Sequence, residues 1–435
     1  MKVQTDITRH TILEIVITLY LARLLFPLLF LQLPFPFHSY YFYGALVFAA
    51  FAILYPKSYF LKSLVPFYVF FAIHIIFTPL IWGKSIIFLD KGQYLNIKSV
   101  IIAYFPLFIA LLVYNHYINK NDFITLGRIC KRAIIFTFLG VINSLIVLIN
   151  FPQAIREANL YLGTFYLSEY YKYLGLLDYG FFNALCSIFP ILVYMVIKSQ
   201  IDSYKKIGWI IFILLSFTSI IYAQITAFLL FSAIFGITAI FLRENYKKDI
   251  IYFVIALLIV VLVIPSSSIA QIFYRSSEFF PYSVLGDRLF DAGLTIENPY
   301  IDYYASPYHA GRRLGRIPLL LESFLSNPII GGGLDTNHAK WFDMLSAFGL
   351  LGFVPWVWLI VDNYKRNLKI LNKKYIPYYM LSVIAFVAMG FLKNTGYAHT
   401  WIFWFLIAPG ANFIYINNYN DISNNNYIMR VNNNV

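Results

Sequence analysis

The chain has 435 residues, 60% of them hydrophobic and only 12% charged. That balance excludes a soluble domain of this size, which needs far more polar surface, and fits repeated bilayer-spanning helices. The formal charge of +13 does not require nucleic acid, because most Lys and Arg fall in loops on one predicted side, as the positive-inside rule expects.

Apolar runs predict twelve spans, near 12–33, 40–56, 64–82, 98–116, 133–151, 180–198, 207–222, 224–242, 250–265, 346–362, 376–392 and 398–416. The expected fold class is therefore all-α, a polytopic membrane protein of about twelve transmembrane helices with one large outer loop containing short helices. The first run lacks a small-residue cleavage site and reads as a retained helix, not a signal peptide. Alternate loops hold the basic residues, among them Lys57 and Lys62, Arg128 and Arg132, Lys205 and Lys206, Arg243 and Lys247, Lys365 and Arg366. This places both termini in the cytoplasm and the long polar segment outside. One long helix across Ala223–Gln224 would invert everything downstream; the basic cluster at Arg243, Lys247 and Lys248 argues against it. The chain thus divides into nine spans over 1–265, the outer loop over 266–345, three spans over 346–416 and an Asn-rich, disordered tail over 417–435.

Three outer segments have some length: 83–96, 152–179 and 266–345. The last carries Arg275, Arg288, Arg312, Arg313 and Arg316. Surplus positive charge is unexpected on that side, and a planar guanidinium is well made to grip phosphate. The plainer reading is a salt-bridged surface, with Glu278, Asp287, Asp291 and Glu322 as partners. Residues 317–325 form an apolar helical stretch that stops at Asn327-Pro328, and Gly331, Gly332 and Gly333 then let the backbone turn or approach a ligand. No Gly-Lys-Ser/Thr follows, so this is not a nucleotide loop. His338 comes next. A neutral imidazole suits removal of a proton from an attacking hydroxyl, and Asp335 or Asp343 would orient it. The alternative is that Asp335, Thr336 or Asn337 merely caps a short helix over 339–345.

Arg23 falls near the middle of the first span, where a charge is costly. Glu14 is too far along the same helix to pair with it, so snorkelling or an inter-helix hydrogen bond is the competing explanation. His74 reads as a helix–helix contact. Lys393 and His399 border the last outer turn, and Lys393 is a secondary candidate for an anionic site. Cys130 and Cys186 suggest neither a disulfide framework nor a metal cluster.

The run from Glu322 through Ser326-Asn327-Pro328-Ile329-Ile330-Gly331-Gly332-Gly333-Leu334, then Asn337-His338, then Phe348-Gly349-Leu350-Leu351-Gly352, resembles the O-antigen polymerase and O-antigen ligase superfamily of GT-C type membrane glycosyltransferases. The motif covers about 40 residues, and the span pattern extends the likeness over nearly the whole chain. The resemblance implies glycosyl transfer at the outer face of a bacterial inner membrane, with no cofactor and no metal. Donor and acceptor would be glycans on undecaprenyl diphosphate, in membrane lipid, and a chain-length regulator protein would be a partner. His338 would activate the acceptor hydroxyl. Arg312, Arg313, Arg316, Arg288 and Arg275 would hold the diphosphate, supported by Asn337, Asp335, Gly331, Gly333 and Lys393. Many members carry a Ser-Arg pair where this chain has Gln224-Ile225, so that arginine role does not carry over.

A polymerase of O-antigen or capsule-like repeat units is the first expectation, and a ligase moving finished glycan to lipid A core or a protein is the second. A flippase or other transporter would need a midplane site, broken helices and internal repeats; neither repeats nor several mid-span charges are visible in the sequence.

Overall fold

A computed structural model describes residues 2–81, 87–88, 97–152, 154–155, 170–197, 202–223, 226–242, 266–281, 284–297, 316–335, 339–393 and 395–415. These residues are predominantly helical, apart from one two-residue ladder. In chain order the elements are α1 (Lys2–Leu25), α2 (Tyr40–Leu54), α3 (Val65–Ile81), β1 (Ile87–Phe88), α4 (Ile97–Asn119), α5 (Phe123–Asn150), α6 (Tyr179–Ile197), α7 (Ser203–Tyr222), α8 (Thr226–Phe241), α9 (Ser266–Glu278), α10 (Val284–Glu297), α11 (Arg316–Ser326), β2 (Leu334–Asp335), α12 (Lys340–Ile370), α13 (Ile376–Leu392) and α14 (Ala398–Ile402). A π-turn (Phe403–Ile407) and two short helical turns carry the chain from α14 to Phe413. The predicted span 250–265 and the tail 417–435 lie outside the described residues.

Five of the described helices are long and apolar enough to cross a membrane: Val100–Asn119 of α4, α5, α6, α7 and α12. Ile53, Leu214, Phe241 and Val354 are each more than half exposed on the outside of the helix assembly. Water does not favour so many large apolar side chains, whereas lipid does.

Local chemistry sets the helix ends. Ser39 caps α2 by accepting from the Tyr41 N–H at 3.3 Å, and Asp122 caps α5 through the Thr125 N–H at 3.1 Å. Pro27 forces Phe26 out of the helical region, to φ −140° and ψ 70°. The first helix therefore stops at Leu25, well short of residue 33. This corrects the placement of Arg23: it lies in the last turn of α1, where the helix dipole favours a cation, and its Nε donates to the His38 carbonyl.

Two helices are hubs. Helix α4 touches α2, α3, α5 and α14, while α6 touches α7, α8, α13 and α14. The segment from Trp401 to Ala408 joins them and is buried on all sides. Around Pro409, which brings no N–H, the Cys130 thiol reaches the Leu406 carbonyl at 3.6 Å and the Tyr375 hydroxyl donates to the Ala408 carbonyl. Both cysteines are free and buried. Helices α7 and α8 are separate, touch each other, and both pack on α6.

At one end of the assembly, charges tie the helices together. Glu14 of α1 is gripped by Arg128 at 2.9 Å and Arg132 at 2.7 Å, both from α5. His10 lies 2.8 Å from Asp122. Arg366 of α12 bonds Asp362 at 2.8 Å, Asn115 of α4 at 2.6 Å and the Ser63 carbonyl at 3.1 Å. These contacts join segments that the basic-residue pattern assigns to one side.

Candidate functional site

The Asn-Pro-Ile-Ile-Gly-Gly-Gly stretch is a plug for a broken helix. Helix α12 is interrupted at Gly349, whose backbone sits at φ 57° and ψ −162°, a region open to glycine alone. A break of this kind leaves carbonyls orphaned on one side and N–H groups on the other. The turn supplies both kinds of partner. Gly332 N–H donates to the Ser346 carbonyl at 2.8 Å, while the Leu350 and Leu351 N–H groups donate to the Pro328 and Ile329 carbonyls, each at 2.9 Å. Gly331, at φ 82°, comes so close that a Cβ there would lie 2.6 Å from the Ala347 carbonyl and 2.7 Å from the Gly349 nitrogen. The two glycines make a backbone-on-backbone contact that any side chain would force apart. The turn itself is closed by the Gly331 N–H on the Asn327 carbonyl, 2.7 Å.

Beyond the turn, Gly333 (φ 79°) redirects the chain into β2, which pairs in parallel with β1: Ile87 opposite Leu334 and Phe88 opposite Asp335. The expected outer segments 83–96 and 266–345 thus meet at this ladder. Helix α12 then begins at Lys340, with Ala339 as its N-cap residue. This corrects the expectation that Asp335, Thr336 or Asn337 caps it. The cap contact instead comes from within the helix, where the buried Asp343 carboxylate accepts from the Ala339 N–H at 2.8 Å. Asp343 is therefore held against the peptide that follows His338.

Lys340 was not singled out from the sequence, although it stands two residues after His338. Its N–H donates to the Lys393 carbonyl at 3.3 Å, so the two lysine backbones are adjacent. Its Nζ lies 5.8 Å from the centre of the Tyr104 ring of α4, and the Lys340 and Asp335 charges both act on Tyr104. Tyr104 and Phe348 flank His74 of α3, whose Nδ1 lies 2.8 Å from the Phe70 carbonyl. His74 is indeed a helix–helix contact, between α3 and α12. Trp341 completes the attachment of α12 to α13 by donating to the Val387 carbonyl at 2.6 Å.

The structure therefore brings together Gly331, Gly333, Asp335, Lys340, Asp343 and Lys393. His338, Asn337, Arg312 and Arg313 lie outside the described residues. Arg316 opens α11 and Arg288 lies in α10. Arg275 is exposed on α9, which pairs with α10 as a hairpin that touches α8. Among the described residues, no group of three His, Cys, Asp or Glu could hold a metal ion.

A second polar cluster joins the other expected outer segments. His399 Nδ1 lies 3.2 Å from Asp178 Oδ1, and its Nε2 lies 2.9 Å from the Leu24 carbonyl at the end of α1. Asp178 also accepts from the Phe181 N–H at 3.0 Å, at the start of α6. Burial pushes the Asp178 carboxyl up, but the His399 imidazole and the Phe181 and Gly180 N–H groups outweigh it and hold the carboxyl below its usual range. The sequence showed each residue but no sign of the pairing, which links positions far apart in the chain. No family model matches this chain, and no curated protein matches it.

Proposed function

We propose that this chain is a multi-pass membrane glycosyltransferase of about twelve transmembrane helices, acting at the outer face of a bacterial inner membrane. It joins oligosaccharide repeat units carried on undecaprenyl diphosphate. His338 takes the proton from the acceptor hydroxyl as its oxygen attacks the anomeric carbon of the donor. The bond from that carbon to the diphosphate oxygen breaks, with inversion, and the diphosphate leaves with the electron pair. Arg312, Arg313 and Arg316 hold the leaving group, with Lys393 as an adjoining cation. Fixed cations at a developing anion are the kind of help that usually counts most.

The observation that carries this reading is the plugged break at Gly349. The Gly331–Gly349 contact fixes the chain before the segment that carries His338, and the Asp343–Ala339 bond fixes it after that segment. On the near side Leu334 and Asp335 pair with β1, and on the far side the Lys340 N–H donates to the Lys393 carbonyl. Flanks fixed in this way before and after His338 support a site there.

A broken helix is also what a transporter would use to bind an ion or substrate. Here the Leu350 and Leu351 N–H groups and the Ser346 carbonyl are spent on the turn, not presented to a cavity. That favours a structural break over a binding one.

The test uses His338→Ala and Arg312→Ala expressed in cells that lack the native gene. The expected result is loss of the glycan ladder with membrane protein level unchanged. Normal ladders from both variants would overturn the proposal. In the deletion strain, single repeat units on the core lipid identify a polymerase, and full-length glycan stranded on the carrier identifies a ligase.

A further inference from the structure

The surface of α9 divides into three arcs, each residue turning roughly 100° from the last. The first arc faces α10. Ala270 is buried there, and Tyr274 sits against Gly293 of α10 while its hydroxyl donates to Glu297 at 2.7 Å. The second arc is mainly apolar: Ile269, Ile272 and Phe273, with Ser276 among them turning its hydroxyl back onto the Ile272 carbonyl at 2.7 Å, continued by Phe279 and Phe280 just after the helix. Ile272 is 61% exposed, Phe279 80% and Phe280 41%. The third arc holds Gln271, Arg275 and Glu278, all exposed.

A helix packed on one side, with an apolar face and a charged face both open, has the make-up of one lying in the plane of a membrane interface. Two placements bring a bilayer to it. Ser266, its first residue, is separated by only Pro265 from the apolar run 250–264 in the sequence. Its partner α10 touches α8, an apolar helix with Ile237 and Ile240 more than half exposed.

We infer that α9 is an interfacial anchor. Ile272, Phe279 and Phe280 lie among the upper acyl chains of the bilayer, and Arg275, at the border of the apolar arc, pairs with lipid headgroup phosphate. Arg275 is thereby a lipid ligand and not a ligand of the transferred diphosphate. The inference rests on the membrane-spanning part of the proposed function and is independent of glycosyl transfer.

Spin labels on the full-length protein in nanodiscs of phosphatidylethanolamine and phosphatidylglycerol test it. Single variants Ile272→Cys and Phe279→Cys report the apolar arc, Gln271→Cys and Glu278→Cys the polar arc, and Leu214→Cys on α7 the bilayer itself. Cys130 and Cys186 are buried, so the label goes to the introduced thiol. The anchor predicts high oxygen and low nickel-chelate accessibility at 272, 279 and 214, and the reverse at 271 and 278. Nickel accessibility at 272 and 279 equal to that at 271 and 278, with 214 in lipid, would overturn the anchor alone. Shielding of 272 and 279 from both reagents would also overturn it. Nickel accessibility at 214 would overturn the membrane reading and the anchor with it.

Discussion

Asp178 performs two tasks with one carboxylate: it caps α6 through the Phe181 N–H and faces His399. These separate by substitution. Asp178→Asn keeps a capping oxygen and loses the charge. The pair is half exposed on the Asp178 side, so this costs no more than ~1 kcal/mol. Asp178→Ala loses the cap as well, for about 1 kcal/mol more. Thermal unfolding in detergent should rank wild type above Asn above Ala. The pH dependence follows from sign. Burial raises both carboxyls, but at Asp178 it is outweighed by His399 together with the Phe181 and Gly180 N–H groups, and at Asp122 by His10 and Thr125, so both sit below their usual value. Their contribution is present above the unfolded carboxyl value and is lost as pH falls through the folded values, which lies below roughly pH 4. A melting temperature that rises as pH drops through that window would contradict the pairing. Neither pair was visible in the sequence, because ionic partners on different helices leave no local pattern. Arg23 was misplaced for a different reason: a continuous apolar run hid the helix stop that Pro27 imposes, and residue type at that one position was the usable signal.

The plugged break in α12 accounts for two glycine-containing stretches that sequence reasoning treated separately. The run at Gly331 read as a tight turn, which it is. Its partner at Gly349 read as part of the predicted span 346–362. Backbone-to-backbone packing leaves only the absence of a side chain as a signal on each strand, so the pairing itself was illegible. Gly349→Ala and Gly331→Ala should each cost about 1–3 kcal/mol, since both positions have φ > 0 and no room for a Cβ. Because the residues touch, the double variant should cost less than the sum. Melting temperatures of the three variants in detergent decide this; strict additivity would mean that the contact is not shared. Helix positions, by contrast, were readable from apolar runs alone, as with α2, α6 and α13, because burial or lipid on every side requires an uninterrupted apolar segment.

Across the whole molecule, contacts sort the predicted loops into two groups. Residues of β1, β2, Lys340 and Lys393, from three predicted outer segments, meet in one place, and Asp178, His399 and the end of α1 meet in a second cluster. Glu14, Arg128, Asp122 and Arg366 belong to the other group. If those groups are the two membrane faces, a membrane-impermeant thiol reagent applied to intact cells with a permeable outer membrane should label Tyr173→Cys and leave Tyr204→Cys untouched until the inner membrane is broken. Equal labelling at both positions would contradict the arrangement.

Chemistry at the outer face remains the central claim, and purified protein tests it most directly. The full-length chain in nanodiscs, with a polyprenyl-diphosphate-linked oligosaccharide and EDTA, should lengthen the glycan and release one polyprenyl diphosphate for each bond formed. His338→Ala, with an unchanged melting temperature, should release none. Equal diphosphate release from wild type and His338→Ala, or none from either, would contradict the account.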